Sequence, residues 1–333
     1  MFSRRYSRKF ASIIMFEEKI PLSKYSNYKI GGPARYFFEA KSIDDIIKAL
    51  EKWRLLAPYQ IRKANFGSGV FTLGAGTNIL FGDEGFNGLI LKPNIQLIKK
   101  EGDILRVGAG VLISQLVDYL INKNLSGLEW AGGLPGTVGG AVRGNAGSFG
   151  GEIQTIVKEV VSLDISRPQT KIIRRNNRDC NFSYRSSIFK LNKNREIIVE
   201  AALILKKGDR KLMQTIIEEN INYRRQKQPL EHPNIGSIFK NVALKKVAKN
   251  AHKSFNSVIK NDPFPVIPAA HLISEAGLKG ISHGGAMISP KHPNFIVNVL
   301  GATAKDVKNL IQLVKKEVKK KFNIGLEEEI VRL

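Results

Sequence analysis

The sequence predicts an α+β fold, and three observations carry the prediction. Short apolar runs recur between glycine turns at 71–73, 89–91 and 105–107, the pattern of strands. Apolar residues return at helical spacing over Ile43–Leu56 and again over 303–322. The chain has 333 residues, more than one typical domain, so two or three packed lobes around a sizeable core are expected.

Residues 35–39 read as the first strand. Ser42 then stands where an N-cap accepts a backbone N–H, with Asp45 as its capping partner, and opens the helix to Leu56. A helix over 114–122 follows the three short apolar runs, and strands follow at 157–164 and 197–205. Asp209 opens a helix with Leu212, Ile216, Ile217 and Ile221 on one face, so a lobe boundary is expected near Gly208. The remainder predicts a strand at 235–239, a helix at 269–276 ended by Gly277, and a strand at 295–299. The helix at 303–322 turns Val307, Leu310, Ile311, Val314 and Val318 inward, and a last strand runs to Leu333. No internal repeat is evident.

Nine glycines fall within the twenty residues 132–151. Each glycine weakens a helical site by about 1 kcal/mol, so this density points to positive φ angles or to close backbone approach, with a bound phosphate as one candidate. Leu73-Gly-Ala-Gly-Thr-Asn-Ile-Leu80 places two glycines and two small polar residues directly after a strand, where backbone N–H groups suit an anion nest. Taken alone it reads more simply as a turn. It lacks the third glycine of a dinucleotide-binding fingerprint, and nothing in the chain matches a P-loop.

A hydrophobic fraction of 43% and a charged fraction of 25% are those of a globular protein. The net charge of +24 raises the possibility of a nucleic-acid partner. The lysines are scattered, however, and many lie on polar helix faces such as 305–321, which suits a solvated surface and an anionic substrate better. Cys180 is the only cysteine, so neither an intramolecular disulfide nor a multi-cysteine metal site can form, and a reducing cytoplasm fits. The histidines show no paired ligand spacing, and no metal is expected. The longest uncharged run, 64–82, is broken by glycines and polar residues, so a soluble protein without a membrane span is expected. Residues 1–14 hold Arg4, Arg5, Arg8 and Lys9 without an acidic residue, as a targeting segment, a basic tail, or residues upstream of a start at Met15 would.

Gly236-Ser-Ile-Phe-Lys-Asn241 and Phe182-Ser-Tyr-Arg-Ser186 gain meaning beside the glycine-rich stretch. Together with Ile30-Gly-Gly-Pro-Ala34, Leu73 to Leu80, Gly133-Leu-Pro-Gly-Thr-Val-Gly-Gly-Ala141, Asn145-Ala-Gly147, Ala276-Gly-Leu-Lys-Gly280, Asn294-Phe-Ile-Val-Asn298 and Leu326-Glu-Glu-Glu329, they form an ordered set. That set resembles the UDP-N-acetylenolpyruvoylglucosamine reductase (MurB) family over residues 20–333.

The resemblance implies a two-lobed α+β FAD-binding domain of the vanillyl-alcohol oxidase (PCMH) type at 20–208, after a basic extension at 1–19. A smaller α+β substrate-binding domain at 209–333 would follow, its last strand returning to the active site. The fold binds FAD without a Rossmann motif. By position, Gly74, Gly76, Thr77, Asn78, Leu134, Pro135, Gly136, Thr137, Gly139 and Ala141 would surround FAD, with Gly144, Asn145 and Gly147 finishing the pocket. No histidine or cysteine lies in these loops, so the flavin would be non-covalent, with NADPH as co-substrate. Arg185, Ser237 and Glu329 match the catalytic positions, and Tyr184, Lys240, Asn241 and Asn294 would touch the substrate.

The implied chemistry is coherent. The family substrate is an enol ether conjugated to a carboxylate, so hydride added at the terminal carbon pushes charge toward that carboxylate as an enolate. Arg185 suits that charge with its fixed fork of donors. Ser237 would deliver the proton, with Lys240 as electrostatic help, while Glu329 would either donate to the enolate as a neutral acid or orient its neighbours. The product would be UDP-N-acetylmuramate, made by a cytoplasmic monomer.

The chain also departs from the family pattern. Val242 stands where proline is common, and lysine-rich residues 243–262 read as an insertion, with a second near 59–68. No segment resembles the tyrosine-bearing lid of one subgroup, so the shorter, lidless subgroup is the better match. An oxidase or dehydrogenase of the same FAD fold is the alternative, but it would not need the Gly236–Asn241 or Leu326–Glu329 motifs. A basic nucleic-acid-binding protein has only the charge in its favour.

Overall fold

The computed structural model describes residues 14–57, 69–167, 169–192 and 195–333. Residues 1–13 of the expected extension and the expected insertion at 59–68 lie outside the described residues, apart from Ala57 and Gly69 flanking the latter.

The first lobe is a four-stranded sheet in the order Glu17–Pro21, Pro33–Ala40, Phe86–Pro93, Val70–Thr72. The first pair is antiparallel and the other two pairs are parallel. Leu89, Ile90 and Leu91 of the central strand are all fully buried, as expected for a parallel strand covered on both faces. On one face lies the helix Ile43–Leu56, capped by Ser42, whose side chain accepts from the Asp45 N–H. That helix buries Ile46, Ala49, Leu50 and Trp53 at intervals of three and four residues. On the other face Leu22, Phe37, Phe71, Leu73, Phe81 and Ile90 form a second cluster. Ile14 and Phe16 already pack against the helix side, so the folded chain starts before residue 20.

The second lobe is a five-stranded antiparallel sheet ordered Lys171–Asn176, Val157–Asp164, Glu196–Ile204, Ile104–Gly108, Ile98–Glu101. Alternation along its strands, shifted by a β-bulge opposite Val161–Ser162, serves two cores. Ile197 and Val199 face Trp53 and the first lobe, while Ile198, Ala201 and Leu203 face the helices Ile113–Asn122 and Val138–Gly144. The helix Arg210–Lys227, assigned from sequence to the C-terminal domain, packs Ile217 and Ile221 into this second-lobe core. Its Asn220 and Arg224 side chains donate to the Glu129 and Gly132 carbonyls at 3.0 and 2.9 Å. Leu212, expected on the inner face, is 60% exposed, because the buried stripe runs through Met213, Ile217, Asn220 and Arg224.

The C-terminal unit sets the helices Ala269–Glu275 and Ala304–Phe322 against a small antiparallel sheet, Ser282–His283, Ala286–Ile288 and Ile296–Asn298. Its long helix has the expected inward residues and a capping box between Thr303 and Asp306. Asp83 of the first lobe also accepts from the Ala304 and Lys305 N–H groups at 2.7 and 3.1 Å, placing an anion at that helix N-terminus. Tyr28 is buried in the C-terminal core and donates to the Ile296 carbonyl at 2.7 Å. The inserted segment 243–262 forms short turns at Leu244–Lys246 and Lys249–Phe255, and Phe255 joins this core beside Phe322.

The strand expected at 235–239 is reduced to a single antiparallel bridge between Phe239 and Glu328. Gly236 takes φ +79°, which breaks the extended run, and the Ile238 and Phe239 N–H groups bond to Asn294 instead of a ladder. Finally, Val331–Arg332 pairs in parallel with Ile79–Leu80, so the end of the chain closes onto the first lobe.

Trp53 joins the helix to both sheets with 1% exposure. Trp53→Ala is expected to lower unfolding free energy by about 3–5 kcal/mol, read from a denaturant titration. A loss under about 1 kcal/mol would show that the two sheets do not depend on this contact.

Candidate active site

The two glycine loops, sixty residues apart in sequence, meet face to face. A Cβ added at Gly74 would come within 2.9 Å of Thr137 Oγ1, and one at Gly136 within 3.5 Å of Thr77 Oγ1. Thr137 caps the helix Val138–Gly144 by accepting from the Gly140 N–H, and Gly139 lets that helix lie against Ala109, where a Cβ would approach 2.9 Å. Gly76 has φ +68° and lies so close to the Tyr25 carbonyl that a side chain would collide with it.

Between the loops runs a cleft lined by Thr72, Gly74, Thr137, Gly139, Arg143 and Phe189, among others. Thr72 Oγ1 is buried there without a hydrogen-bond partner. An orphaned hydroxyl beside side-chain-free backbone is what a polar, close-fitting ligand would satisfy, and FAD fits these residues. Burial lowers the Arg143 pKa from the usual arginine value, so the cleft holds a partly desolvated cation.

Not every expected cofactor residue lines the cleft. Leu134 packs against the second-lobe core, Ala141 is buried in it, and Pro135 is exposed. Asn145 is fully buried in a left-handed helix cap, with its amide bonded to Glu152, Ser183 and the Gln154 N–H. Gly144 has open space where a Cβ would stand, and the Gly147 carbonyl is taken by Arg185. Thr72, Arg143 and Phe189 were not singled out from sequence. They come from separate strands and helices, and only Arg143 had a signal, its place inside the glycine run.

Next to the cleft, Arg185 occupies a tight turn closed by paired bonds between Ser183 and Ser186, and has φ +55°. Its Nε meets Glu329 Oε1 at 2.8 Å, its Nη2 donates to the Gly147 carbonyl at 2.7 Å, and its guanidinium lies 5.0 Å from the Tyr184 ring centroid. Burial raises the Tyr184 pKa, and Phe264 packs edge-on against its ring at 5.2 Å.

The Glu329 backbone is held from the C-terminal unit and from the first lobe. Its N–H donates to the Ile238 carbonyl at 2.8 Å, while Asn78 Nδ2 donates to its carbonyl at 3.3 Å. Ser237, which precedes Ile238, is half-buried, and its hydroxyl has no protein partner among the described residues. Lys240 pairs with Glu327, and that contact first lowers the Glu327 pKa. Glu328 pairs instead with Lys315 and Arg332. Of the three adjacent glutamates, Glu329 is therefore the one at Arg185.

Two residues expected to touch substrate are occupied by the protein. Asn294 is 3% exposed, and its amide accepts from the Phe239 N–H at 3.0 Å and donates to the Phe239 carbonyl at 2.8 Å. The Asn241 side-chain Oδ1 accepts from the Ala269 N–H at 3.1 Å. Both hold backbone around Ser237 and Lys240. Among the described residues no cluster of three potential metal ligands occurs, and no helix is long and apolar enough to cross a membrane.

Comparison with known proteins matches residues 228–333 to the family described as UDP-N-acetylenolpyruvoylglucosamine reductase, C-terminal domain, and residues 34–176 to the FAD binding domain family. The UDP-N-acetylenolpyruvoylglucosamine reductase of Carboxydothermus hydrogenoformans is 38% identical, over 94% of this chain and 92% of that protein. Those of Lachnoclostridium phytofermentans and Chlamydia muridarum are 35% and 36% identical, over 93% and 94% of this chain and 90% and 93% of their own lengths. The crystal structure of UDP-N-acetylenolpyruvylglucosamine reductase (MurB) from Thermus caldophilus superposes with a TM-score of 0.73 at 27% identity, covering 96% of this chain and 99% of that one.

The Asn294 amide yields a test. Asn294→Ala leaves the buried N–H and carbonyl of Phe239 unpaired, so unfolding free energy should fall by about 2–4 kcal/mol in a denaturant titration. An unchanged midpoint would mean that this clamp does not hold the Ser237 turn.

Proposed function

The chain belongs to the UDP-N-acetylenolpyruvoylglucosamine reductase family, and from that premise we propose that it reduces UDP-N-acetylglucosamine enolpyruvate to UDP-N-acetylmuramate with NADPH. The observation that carries this reading is the pairing of Arg185 with Glu329 beside the free Ser237 hydroxyl, at the edge of the cleft that fits FAD.

Bound FAD supplies hydride transfer from NADPH to the terminal carbon of the substrate's enolpyruvyl double bond. As that carbon gains hydride, charge moves into the neighbouring carboxylate, and Arg185 holds it. The guanidinium is aligned before substrate arrives by Glu329 on one edge and the Gly147 carbonyl on another, so little reorganisation is left for the reacting state. Ser237 Oγ gives its proton to the α-carbon of the enolate, forming the lactyl C–H bond. Its neighbour Ile238 is bonded to Glu329, which keeps donor and anion holder in one frame. Lys240 stabilises the resulting alkoxide electrostatically, with Glu327 as its resting counterion. Asn294 and Asn241 act by holding the backbone of this segment.

Gly74, Thr77, Asn78, Gly136, Thr137 and Gly139 receive the cofactor, while Gly76 and Asn145 shape the loops. The C-terminal unit that takes the sugar nucleotide begins after Lys227, a boundary supported by the packing of the Arg210–Lys227 helix on the second lobe. We read the protein as a monomer of the cytoplasm that serves peptidoglycan synthesis, and thereby cell wall biogenesis, cell shape and division, without a nucleic-acid or membrane partner.

Ser237→Ala should leave flavin reduction by NADPH near the wild-type rate. Reoxidation by the enolpyruvyl substrate should fall by at least ~10²-fold, since a positioned general acid is lost. Stopped-flow absorbance separates the two half-reactions, and equal damage to both would assign Ser237 a structural role.

Arg185→Lys retains attraction but loses the planar fork that aligns a carboxylate. Steady-state kinetics should show kcat and kcat/KM falling together by roughly 10²-fold with little change in KM. A large rise in KM at unchanged kcat would show that Arg185 binds only the ground state.

A further inference from the structure

Lys190 was not among the residues expected in the site, yet its position ties it to Arg185. It lies on the short helix Ile188–Leu191, which is anchored by fully buried Phe189 and by the Ser187 hydroxyl donating to the Arg143 carbonyl at 2.7 Å. From that anchor Lys190 Nζ donates to the Arg185 carbonyl at 3.0 Å. Arg185 is a non-glycine residue in the left-handed region, a conformation that persists only where surrounding contacts enforce it. The ammonium is one of those contacts.

Its electrostatic setting is also uneven. Lys240 and Arg143 act on Lys190 as like charges, and Glu329 and Glu327 as opposite ones. Both carboxylates are already engaged, Glu329 by Arg185 and Glu327 by Lys240, and Lys190 has no ion-pair partner among the described residues. Burial, followed by the Lys240 charge, lowers the Lys190 pKa. A cation kept in this desolvated, unpaired state suits an anion that arrives with the substrate.

We propose that Lys190 is a positioning residue for the reduction, which locks the Arg185 turn through its carbonyl so that the guanidinium stays in register with the carboxylate that gains charge. The inference rests on the reading of the site given above and extends it to a residue outside the catalytic motifs. An ammonium has three donors, so the bond to Arg185 leaves two for a ligand oxygen or water. Hydride transfer from NADPH to flavin develops no charge on a carboxylate, so only the second half-reaction should depend on Lys190.

The test compares wild type with Lys190→Met and Lys190→Ala as FAD-loaded full-length proteins. Flavin absorbance follows reduction by NADPH and then reoxidation by UDP-N-acetylglucosamine enolpyruvate. For Lys190→Met the melting temperature and the reduction rate should match wild type, while reoxidation falls by ~10²-fold, the scale of an ångström of misplacement. KM should change little, and propylammonium added to Lys190→Ala should restore part of the rate. Wild-type reoxidation by Lys190→Met would overturn the inference, as would equal loss in both half-reactions. If Lys190→Met is unstable, Lys190→Ala decides alone: amine rescue of reoxidation supports the role and its absence overturns it. Wild-type protein that is not reoxidised by this substrate would instead overturn the reading of the site itself.

Discussion

The return of the chain end to the first lobe is the constraint on which the site depends. Val331–Arg332 adds to Ile79–Leu80, and Asn78 both accepts from the Val331 N–H and donates to the Glu329 carbonyl. Those few bonds hold the last residues in one register, and that register presents Glu329 to Arg185. They also tie the loop at Asn78 to Glu329, which is far from it in sequence. Asp83, capping the helix Ala304–Phe322 from the first lobe, and Tyr28, buried in the C-terminal core, keep the two units from sliding against one another.

Around that frame most of the charge is arranged in pairs, and Lys190 has no ion-pair partner among the described residues. Arg185 with Glu329 and Lys240 with Glu327 are internally balanced, whereas Lys190 and the partly desolvated Arg143 add positive potential without a carboxylate beside Lys190. The proposed reduction, in which a carboxylate gains charge, would draw on such positive potential, fixed beforehand by bonds to backbone carbonyls. The carbonyls of Gly147, in a short hairpin strand, and of Arg185, in a tight turn, serve here as backbone acceptors.

Glycine sets the shape of the cofactor cleft by absence. At Gly74 and Gly139 a side chain would enter space now shared with Thr137 and Ala109, and at Gly76 it would strike the Tyr25 carbonyl. The inserted residues 243–262 work differently. They add Phe255 to the C-terminal core and carry Asp262 to the Gly150 N–H at 2.9 Å, so the segment braces the hairpin that Arg185 also holds.

Local pattern was enough to read most elements and the family. The capped helix at Ile43–Leu56, the five inward residues of the last helix and the ordered motifs all depend on neighbours close in sequence. Where a partner from far along the chain decides the outcome, local pattern fails. Asn294 takes the hydrogen bonds that a strand at 235–239 would have given to a ladder, and second-lobe packing selects the buried stripe of the helix Arg210–Lys227. The three glutamates at 327–329 show the division most sharply. The sequence by itself determined that acidic groups end the chain near the motif set, but extended backbone turns successive side chains to opposite sides. Only the tertiary register could therefore send Glu328 to Lys315 and Arg332, Glu327 to Lys240, and Glu329 to Arg185.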